Sequence, residues 1–571
     1  MDNSTLINQH QQEKDQSIQF KKRRFDQWNE NYTLYRDKVA TNRLTQRQAV
    51  NIPIIRDTVQ NWISKIDEAP QLEFETRGSG NRDLDGEVVL NELWQHTYDT
   101  QSLDIIDNLE KKIVGIQGRG FKYWYMKDNR IKCAVVDPYD IDIDPQTNPL
   151  DINTARYFNH KNIFIPLRAI LANKSYTKEG KDALKVYLDS KQGLLQANRS
   201  DEEAQSRRQR LEDLGVTNYD AYKASDVQVE LNRSHKLIWD KTENRFVRHL
   251  IVIALDSVVL YNKPLKEAIG IDYLPYATWA SDPDLNDIWS DAIADNVRQM
   301  NKVVNMYFSQ DLENRAYRNF GMYFFNTMNG TFTPQAFEAR PFGMYGVPGN
   351  PSEVIQQMQI QPLGDTTSQI DYLKNMIQSS VAQTPTERGL QDKAMATLGE
   401  VELSFQQSDQ RQQVVAKQYR QSWEQSGQIF YDLLDSNSRG RIKLYKKAAD
   451  GKFQPKEVGR EDWYNPQGYE VRVVLQSEKS ANDDMDLKKN AYIKNSFLDN
   501  PVALKIAKRK ELELIGWSPT EIEEVIQFEE NKGQQQPQGM GAPVEEGASE
   551  QPQPAQQSAQ QPAQLPVNTP Q

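Results

Sequence analysis

The chain has 571 residues, 69 Lys and Arg against 80 Asp and Glu, a net charge of −11 and a single cysteine. That length exceeds one ordinary core, so two to four subdomains are expected. The acidic balance argues against gripping nucleic acid through a bulk basic surface, and one Cys133 excludes an internal disulfide framework and suits a reducing compartment.

Residues 1–45 are polar and carry the basic run Lys21-Lys22-Arg23-Arg24, read as a solvated charge run ahead of a docked helix. Phe25, Trp28, Tyr32 and Tyr35 follow at helical spacing on one face. A helix over Ile52 to Ile66 and an amphipathic pattern over 84–117, with Leu90, Leu93, Trp94, Leu103, Ile106, Leu109 and Ile113, come next. The period then changes to two. Phe121, Tyr123 and Tyr125 alternate with Lys122, Trp124 and Met126, and Lys127-Asp128-Asn129-Arg130 turns the chain into Ile131 to Val136, predicting a hairpin.

Residues 166–226 read as charged helix, and 227–278 as a small antiparallel β unit turned at Thr242-Glu243-Asn244 and Asp256-Ser257. Asp282-Pro283 is expected to open a long helix with Ile293, Val297, Met300, Val304, Phe308 and Leu312 as its apolar stripe, and with Arg298 and Lys302 off it. After irregular structure over 321–365, a very long helical pattern runs from 366 to 438. It breaks near Thr384-Pro385-Thr386-Glu387-Arg388-Gly389 and restarts at Thr397-Leu398-Gly399-Glu400. Thr384 with Glu387, and Thr397 with Glu400, each read as a capping box that satisfies orphan amides at a helix start. Pro385 fits a first turn and Gly389 permits a stop. From about 394 to 438 such a helix would span roughly 65 Å. Short strands at Arg441 to Tyr445 and Tyr469 to Leu475 and a charged helical region over 484–532 follow. The last 39 residues, Gly533 to Gln571, hold 12 Gln and 7 Pro with no aromatic, Lys or Arg, so disorder is expected there.

Catalytic motifs are sparse. No phosphate loop occurs, Gly115, Gly118 and Gly120 have the wrong spacing for a dinucleotide fingerprint, and no metalloprotease motif is present. His10, His96, His160, His235 and His249 are scattered, and Cys133 reads as packing. The acidic group Asp137, Asp140, Asp142 and Asp144 has two readings. If the segment is a strand, three of its carboxylates share a face while Ile141 and Ile143 fill the other. With Asp151 they could form a divalent-metal site for a metal-dependent nucleic-acid enzyme. The plainer expectation is a solvated strand edge with turn caps, hence no catalytic residue, no metal and no cofactor. The N-terminus lacks an apolar signal core, and the longest apolar run, Leu250 to Leu255, is far short of a membrane span, so cytosolic synthesis and no membrane partner are expected.

In order, these elements resemble the portal proteins of tailed double-stranded DNA bacteriophages, the ring at the head–tail vertex. Asn51-Ile-Pro-Ile-Ile-Arg-Asp-Thr-Val is similar to the early wing helix, and Gly120-Phe-Lys-Tyr-Trp-Tyr with Asp137-Pro-Tyr-Asp and Asp144-Pro to the wing β-region. The β unit resembles the clip between two stem helices, the 286–318 helix the second stem helix, and the interrupted 366–438 helix the long wing helix with its channel loop. The resemblance implies an α+β subunit divided as 1–165 (N-terminal helices and wing β-region), 166–226 (with the first stem helix), 227–278 (clip), 279–320 (second stem helix), 321–482 (wing with channel loop near 384–397), 483–532 (crown) and 533–571 (tail). It further implies a non-catalytic ring, usually of twelve copies, that conducts double-stranded DNA. The implied partners are a terminase motor, a head–tail adaptor and the major capsid protein, at the portal vertex of the virion after assembly in the host cytoplasm. Arg388 and Lys393 on the loop and Arg298 and Lys302 on the stem-like helix are then the candidate DNA-facing cations. A helical-bundle scaffold protein without a pore is the competing expectation.

Overall fold

The computed structural model describes residues 2–37, 52–66, 70–77, 80–189, 228–319, 366–380, 398–438, 453–475 and 501–515, with shorter stretches at 323–325, 355–357 and 440–447 and isolated residues at 350, 361, 364, 488, 522 and 525–526. The expectations for 190–227, for the 384–397 loop and for the 533–571 tail fall outside them. Helices and antiparallel sheets are mixed along the chain, so the fold is α+β.

Helix α1 (Asn3–Tyr35) opens the chain, and α2 (Ile54–Ile66) follows Pro53. Strand β1 (Pro70–Thr76) precedes α3 (Asn81–Gln101) and α4 (Leu103–Gln117). Ser102, with φ 51°, ends the first of these two helices and begins the second. The expected aromatic hairpin is present as β2 (Arg119–Lys127) and β3 (Arg130–Val136). Asp128 and Asn129 both have positive φ, 51° and 57°, the two-residue turn whose twist suits a hairpin.

A second sheet begins with β4 (Ile141–Ile143) and β5 (Tyr157–Pro166). After α5 (Leu167–Ala172) and α6 (Lys178–Asp189) it continues through β6 (Gln228–Asp240), β7 (Arg245–Ala254) and β8 (Val258–Pro264), in that spatial order. The reading of 227–278 as a separate unit is therefore corrected. Its first three strands extend the sheet of the preceding region. Beyond α7 (Leu265–Ile269), β9 (Tyr276–Ala280) leaves to pair with β2, giving a three-stranded sheet ordered β3-β2-β9. The physical reason is edge pairing. The open edge of β5 takes β6, with Tyr157 opposite Lys236, and the open edge of β2 takes β9, with Gly120 opposite Trp279.

Helix α8 (Ile293–Asn319) starts later than expected. Asp282-Pro283 opens instead a non-helical crossing in which Asp282 bridges Asp291 and Ile288 and Trp289 are fully buried. Burying those two side chains in the second core wins over the local helix-start signal. The helix begins where Asp295 reaches back to accept the Ala292 amide at 2.8 Å. The short pair β10 (Tyr323–Phe325) and β11 (Ile355–Gln357), helix α9 (Thr366–Ser380) and the 40-residue α10 (Leu398–Asn437) follow. Then come hairpin β12 (Ile442–Lys447) and β13 (Phe453–Val458), α11 (Arg460–Trp463), β14 (Tyr469–Leu475) and α12 (Pro501–Ile515).

Strand β14 returns to pair with β1, Phe74 opposite Val471, so the C-terminal region closes on the N-terminal one. The main core lies between these elements, with Trp62 stacked on Trp279 at 5.9 Å and Trp94 edge-on to Phe430 at 5.1 Å. Truncating one such buried ring costs about 3–5 kcal/mol. A second core around Trp28, Phe121, Tyr139 and Trp289 joins α1 to both sheets. A third, under α5 and α6, covers one face of the larger sheet.

Candidate functional site

Two buried ionic assemblies organise the molecule, and both use residues that look like surface charges in the sequence. The first is made by α1. Its buried positions Leu6, His10, Ser17, Lys21, Arg24, Phe25, Trp28 and Asn31 fall on one helical stripe, and most of them are polar or charged. The expectation of a solvated basic run is corrected here for Lys21 and Arg24, which are buried, while Lys22 and Arg23 are exposed. Lys21 Nζ is fully buried and donates to the carbonyls of Pro138, Tyr139 and Ile141, at 3.3, 3.1 and 2.7 Å, and to Asp142 Oδ1 at 3.1 Å. Lys161 on β5 donates to the same oxygen at 2.9 Å. Arg24 pairs with Asp287 at 2.9 Å and with Asp291, and the exposed Arg23 reaches Asp287 at 2.5 Å. At the start of α1, Lys14 pairs with Asp256 at 2.9 Å and Glu13 with Lys236 at 2.6 Å, tying the helix to β6 and to the β7–β8 turn.

The acidic group is thereby corrected as well. Asp142 is fully buried between two lysines, and the flanking Ile141 and Ile143 are also buried, so this short strand has no solvated face. Burial alone would raise the Asp142 pKa; Lys161 and then Lys21 outweigh it and hold the carboxylate below its usual range. Asp144 is held by Arg156 at 2.5 and 2.9 Å, and that hydrogen bonding outweighs burial to lower its pKa. Asp137 caps the Tyr139 amide, Asp151 caps the Asn153 amide, and Asp140 accepts from Asn162 at 2.5 Å. These carboxylates are committed to different cations and amides. Among the described residues, no group of three or more His, Cys, Asp or Glu is placed to hold a metal ion.

The second assembly seats the long helix. From Tyr419 to Leu434, α10 is buried along Tyr419, Ser422, Trp423, Ser426, Ile429, Phe430, Leu433 and Leu434. Asp107 of α4 accepts from Tyr419 Oη at 2.7 Å and from Trp423 Nε1 at 3.1 Å, one helical turn apart, and pairs with Lys111 at 2.6 Å. Lys111 Nζ also lies 4.6 Å from the centre of the Tyr419 ring. Beside them Lys122 Nζ stands 4.1 Å from the Trp423 ring and 2.9 Å from Glu110 Oε2, off the line of a hydrogen bond, so that contact is ionic. Burial raises the Glu110 pKa and outweighs Lys122. One cation beside Glu110 and two beside Asp142 account for the opposite signs.

Two of the glycines set aside as a failed dinucleotide motif serve this packing. Gly118 ends α4 at φ 91° with its Cα against the Ser290 carbonyl. A Cβ on Gly120 would come within 2.6 Å of Glu110 Cγ and 2.8 Å of Val114. Cys133 is buried, as expected from packing, and burial pushes its thiol pKa up.

The candidate DNA-facing cations separate. Arg298 is buried, 2.5 Å from Asp295 and 3.3 Å from Asn31 Oδ1 and from Glu30, so it is withdrawn from that set. Its position off the apolar stripe faces α1, which the sequence pattern of α8 alone could not reveal. Lys302 is half-exposed and pairs with Glu30. Arg388, Lys393, Thr384, Glu387 and Thr397 lie outside the described residues, and Glu400 lies in the first turn of α10. The aromatic spacing after Lys21 carried a signal for the buried lysine, since Phe25 is four residues on and shares its face. Nothing local marks Asp107 as the carboxylate shared by Tyr419 and Trp423.

No described helix is long and apolar enough to cross a membrane. No protein-family model matches the chain, and no curated protein matches it significantly.

Proposed function

We propose that this chain is the subunit of a phage portal, a ring-shaped, non-catalytic conduit at the capsid vertex. Through it, double-stranded DNA is packaged, retained and ejected. The observation that carries the reading is the setting of α10. Its C-terminal half is keyed into an α+β core through Asp107, Tyr419 and Trp423, while α9 and α10 bracket the Gly389 segment. A long helix held along its C-terminal half is suited to carry the segment that precedes it towards a central channel.

The electrostatics support the same reading. Lys14, Lys21, Arg24, Arg298 and Lys302 of α1 and α8 are consumed in internal pairs, so these two helices offer few fixed phosphate contacts. DNA that must slide is served by sparse, salt-sensitive contacts and harmed by base-specific ones. A head-to-tail interface that closes by rotation makes the ring, commonly of twelve copies. The outer surface would engage the terminase motor, the head–tail adaptor and the major capsid protein. Arg388 and Lys393 are the loop cations assigned to DNA, with Lys302 secondary. Deleting 388–393 tests the loop assignment: rings should still form, while DNA packaging or retention fails. Normal packaging of full-length genomes by the deletion would reject it.

A further inference from the structure

On the larger sheet, His160, Arg233, Val252 and Tyr261 are register partners across β5, β6, β7 and β8, so they occupy one face. Helix α1 docks on the opposite face, through Asn232 and Lys236. Arg233 thus lies on the side shared by the β2 hairpin and the α5–α6 segment. Its guanidinium is 5.4 Å from the centre of the Tyr123 ring, and Tyr123 stacks on Tyr125 at 5.2 Å and on Tyr276 at 4.7 Å. Its ionisable neighbours include Tyr123, Tyr276, Tyr176, Tyr125 and His160, and among the described residues no carboxylate forms an ion pair with it. Arg233, Tyr123, Tyr125, Tyr176 and Tyr261 are all half-buried, so the crevice opens to solvent. A guanidinium walled by phenols without a counter-charge is an incomplete site for a carboxylate.

The same sheet carries a feature of matching shape and chemistry. At the tip of the β6–β7 hairpin, Trp239 and Phe246 are 46% and 63% exposed and pack edge-on at 5.0 Å. Between them the turn presents Glu243, whose ion pair is with the exposed Arg245 at 2.5 Å, a pair readily exchanged in water. Asp240 of the same turn is occupied by the Thr242 and Glu243 amides. Exposed aromatic rings of this kind are typical anchors of an interface centre, and the carboxylate beside them is held only by an exposed ion pair. From Arg233 to the end of β6 is seven residues, about 23 Å at the rise of a strand, so this tip cannot fold back into its own crevice.

We propose that the Arg233 crevice receives the Trp239–Phe246 hairpin tip of a second copy of this chain, with Glu243 pairing to Arg233 and the two aromatic rings covering the tyrosines. The contact is head-to-tail, since tip and crevice are different surfaces. It deepens the ring reading by naming a contact that would close the ring.

The test is cross-linking of the full chain carrying Ser175→Cys and, in the exposed hairpin turn, Lys241→Cys with a short bismaleimide, which leaves Glu243 in place. Ser175 is exposed beside Tyr176, and Thr177 is tied to β8 through the Leu260 carbonyl at 3.0 Å, so the two positions lie too far apart to join within one chain. The buried Cys133 stays out of the reaction. Covalent multimers are expected from the double variant and not from either single variant. Monomers alone would overturn the proposal, whether or not images show rings. Multimers from protein whose images show no rings would leave this contact standing and reject the portal reading. In parallel, Arg233→Glu should weaken self-association at least tenfold, and Arg233→Glu with Glu243→Arg should regain most of it; a double variant no better than the single one contradicts the pairing.

Discussion

Replacing Asp142 by Asn probes the junction between α1 and the larger sheet. The side chain keeps its size but loses its charge, leaving Lys21 and Lys161 buried without it. Removing one member of a buried ion pair costs about 3–5 kcal/mol. Lys21 still has three carbonyl acceptors, which places the expected cost near the lower end, about 3 kcal/mol. At roughly 1.4 kcal/mol per tenfold, amides of β4 and of the middle of α1 should exchange hydrogen about two orders of magnitude faster. Native-state hydrogen exchange read by mass spectrometry measures this directly. Adding Lys161→Met should recover part of the loss, because one stranded cation is removed. The pH dependence follows from the sign of the shift. Asp142 has a depressed pKa, so its contribution is complete above the ordinary carboxylate range near pH 4 and is lost as pH falls through its own lower value. The Asn variant should lack that acid-side loss. An exchange rate changed less than threefold, or a double variant worse than the single one, would refute the picture of a buried carboxylate shared by two lysines.

Three further outcomes follow. Asp107→Ala strips Tyr419, Trp423 and Lys111 of their common acceptor, so exchange within 419–434 should rise at least tenfold while β12–β13 is unaffected; uniform exchange across both would contradict the keying role. Gly118→Ala combines a φ of 91° with an overlap at the Ser290 carbonyl and should cost at least about 2 kcal/mol in a denaturant melt, more than Ala at Gly440, which shares a positive φ of 94° but meets nothing within 4 Å. His235 is buried and His160 half-buried, and both are neutral, with pKa values held to about 3 by desolvation and then by nearby arginines. The unfolded chain therefore binds more protons than the folded one between about pH 6.5 and 3, so stability must fall as pH falls through that window. Replacing both with Gln should flatten a thermal-shift profile between pH 7 and 5, and an unchanged slope would refute the assignment.

How much of this was legible depended on where each partner lies in the chain. The β2–β3 hairpin announced itself because its alternation, its polar turn and its partner strand all fall within 20 residues. The helix at 398–437 was equally visible from its spacing and its restart signal. Asp142 was misread because its cations come from α1 and β5, and strand pattern alone shows a carboxylate between two isoleucines as one wet face and one dry. Arg298 was misread for the same reason, since Glu30 and Asn31 belong to α1. The start of α8 was placed too early because an Asp-Pro pair is a local signal, while the burial of Trp289 beside Trp28 and Phe121 is set by the tertiary fold. Pairing of β1 with β14 joins residues about 400 positions apart and leaves no local trace. The Arg233 crevice was invisible for a related reason: it exists only once four strands align in register.

The central claim is that copies of this chain close into a ring around a channel. Electron microscopy of the purified full-length protein at micromolar concentration, across low and high salt, tests it most directly. The account predicts closed rings with a central hole wide enough for a DNA duplex, uniform in copy number. A stable monomer under all conditions, or an elongated oligomer without a pore, would contradict it.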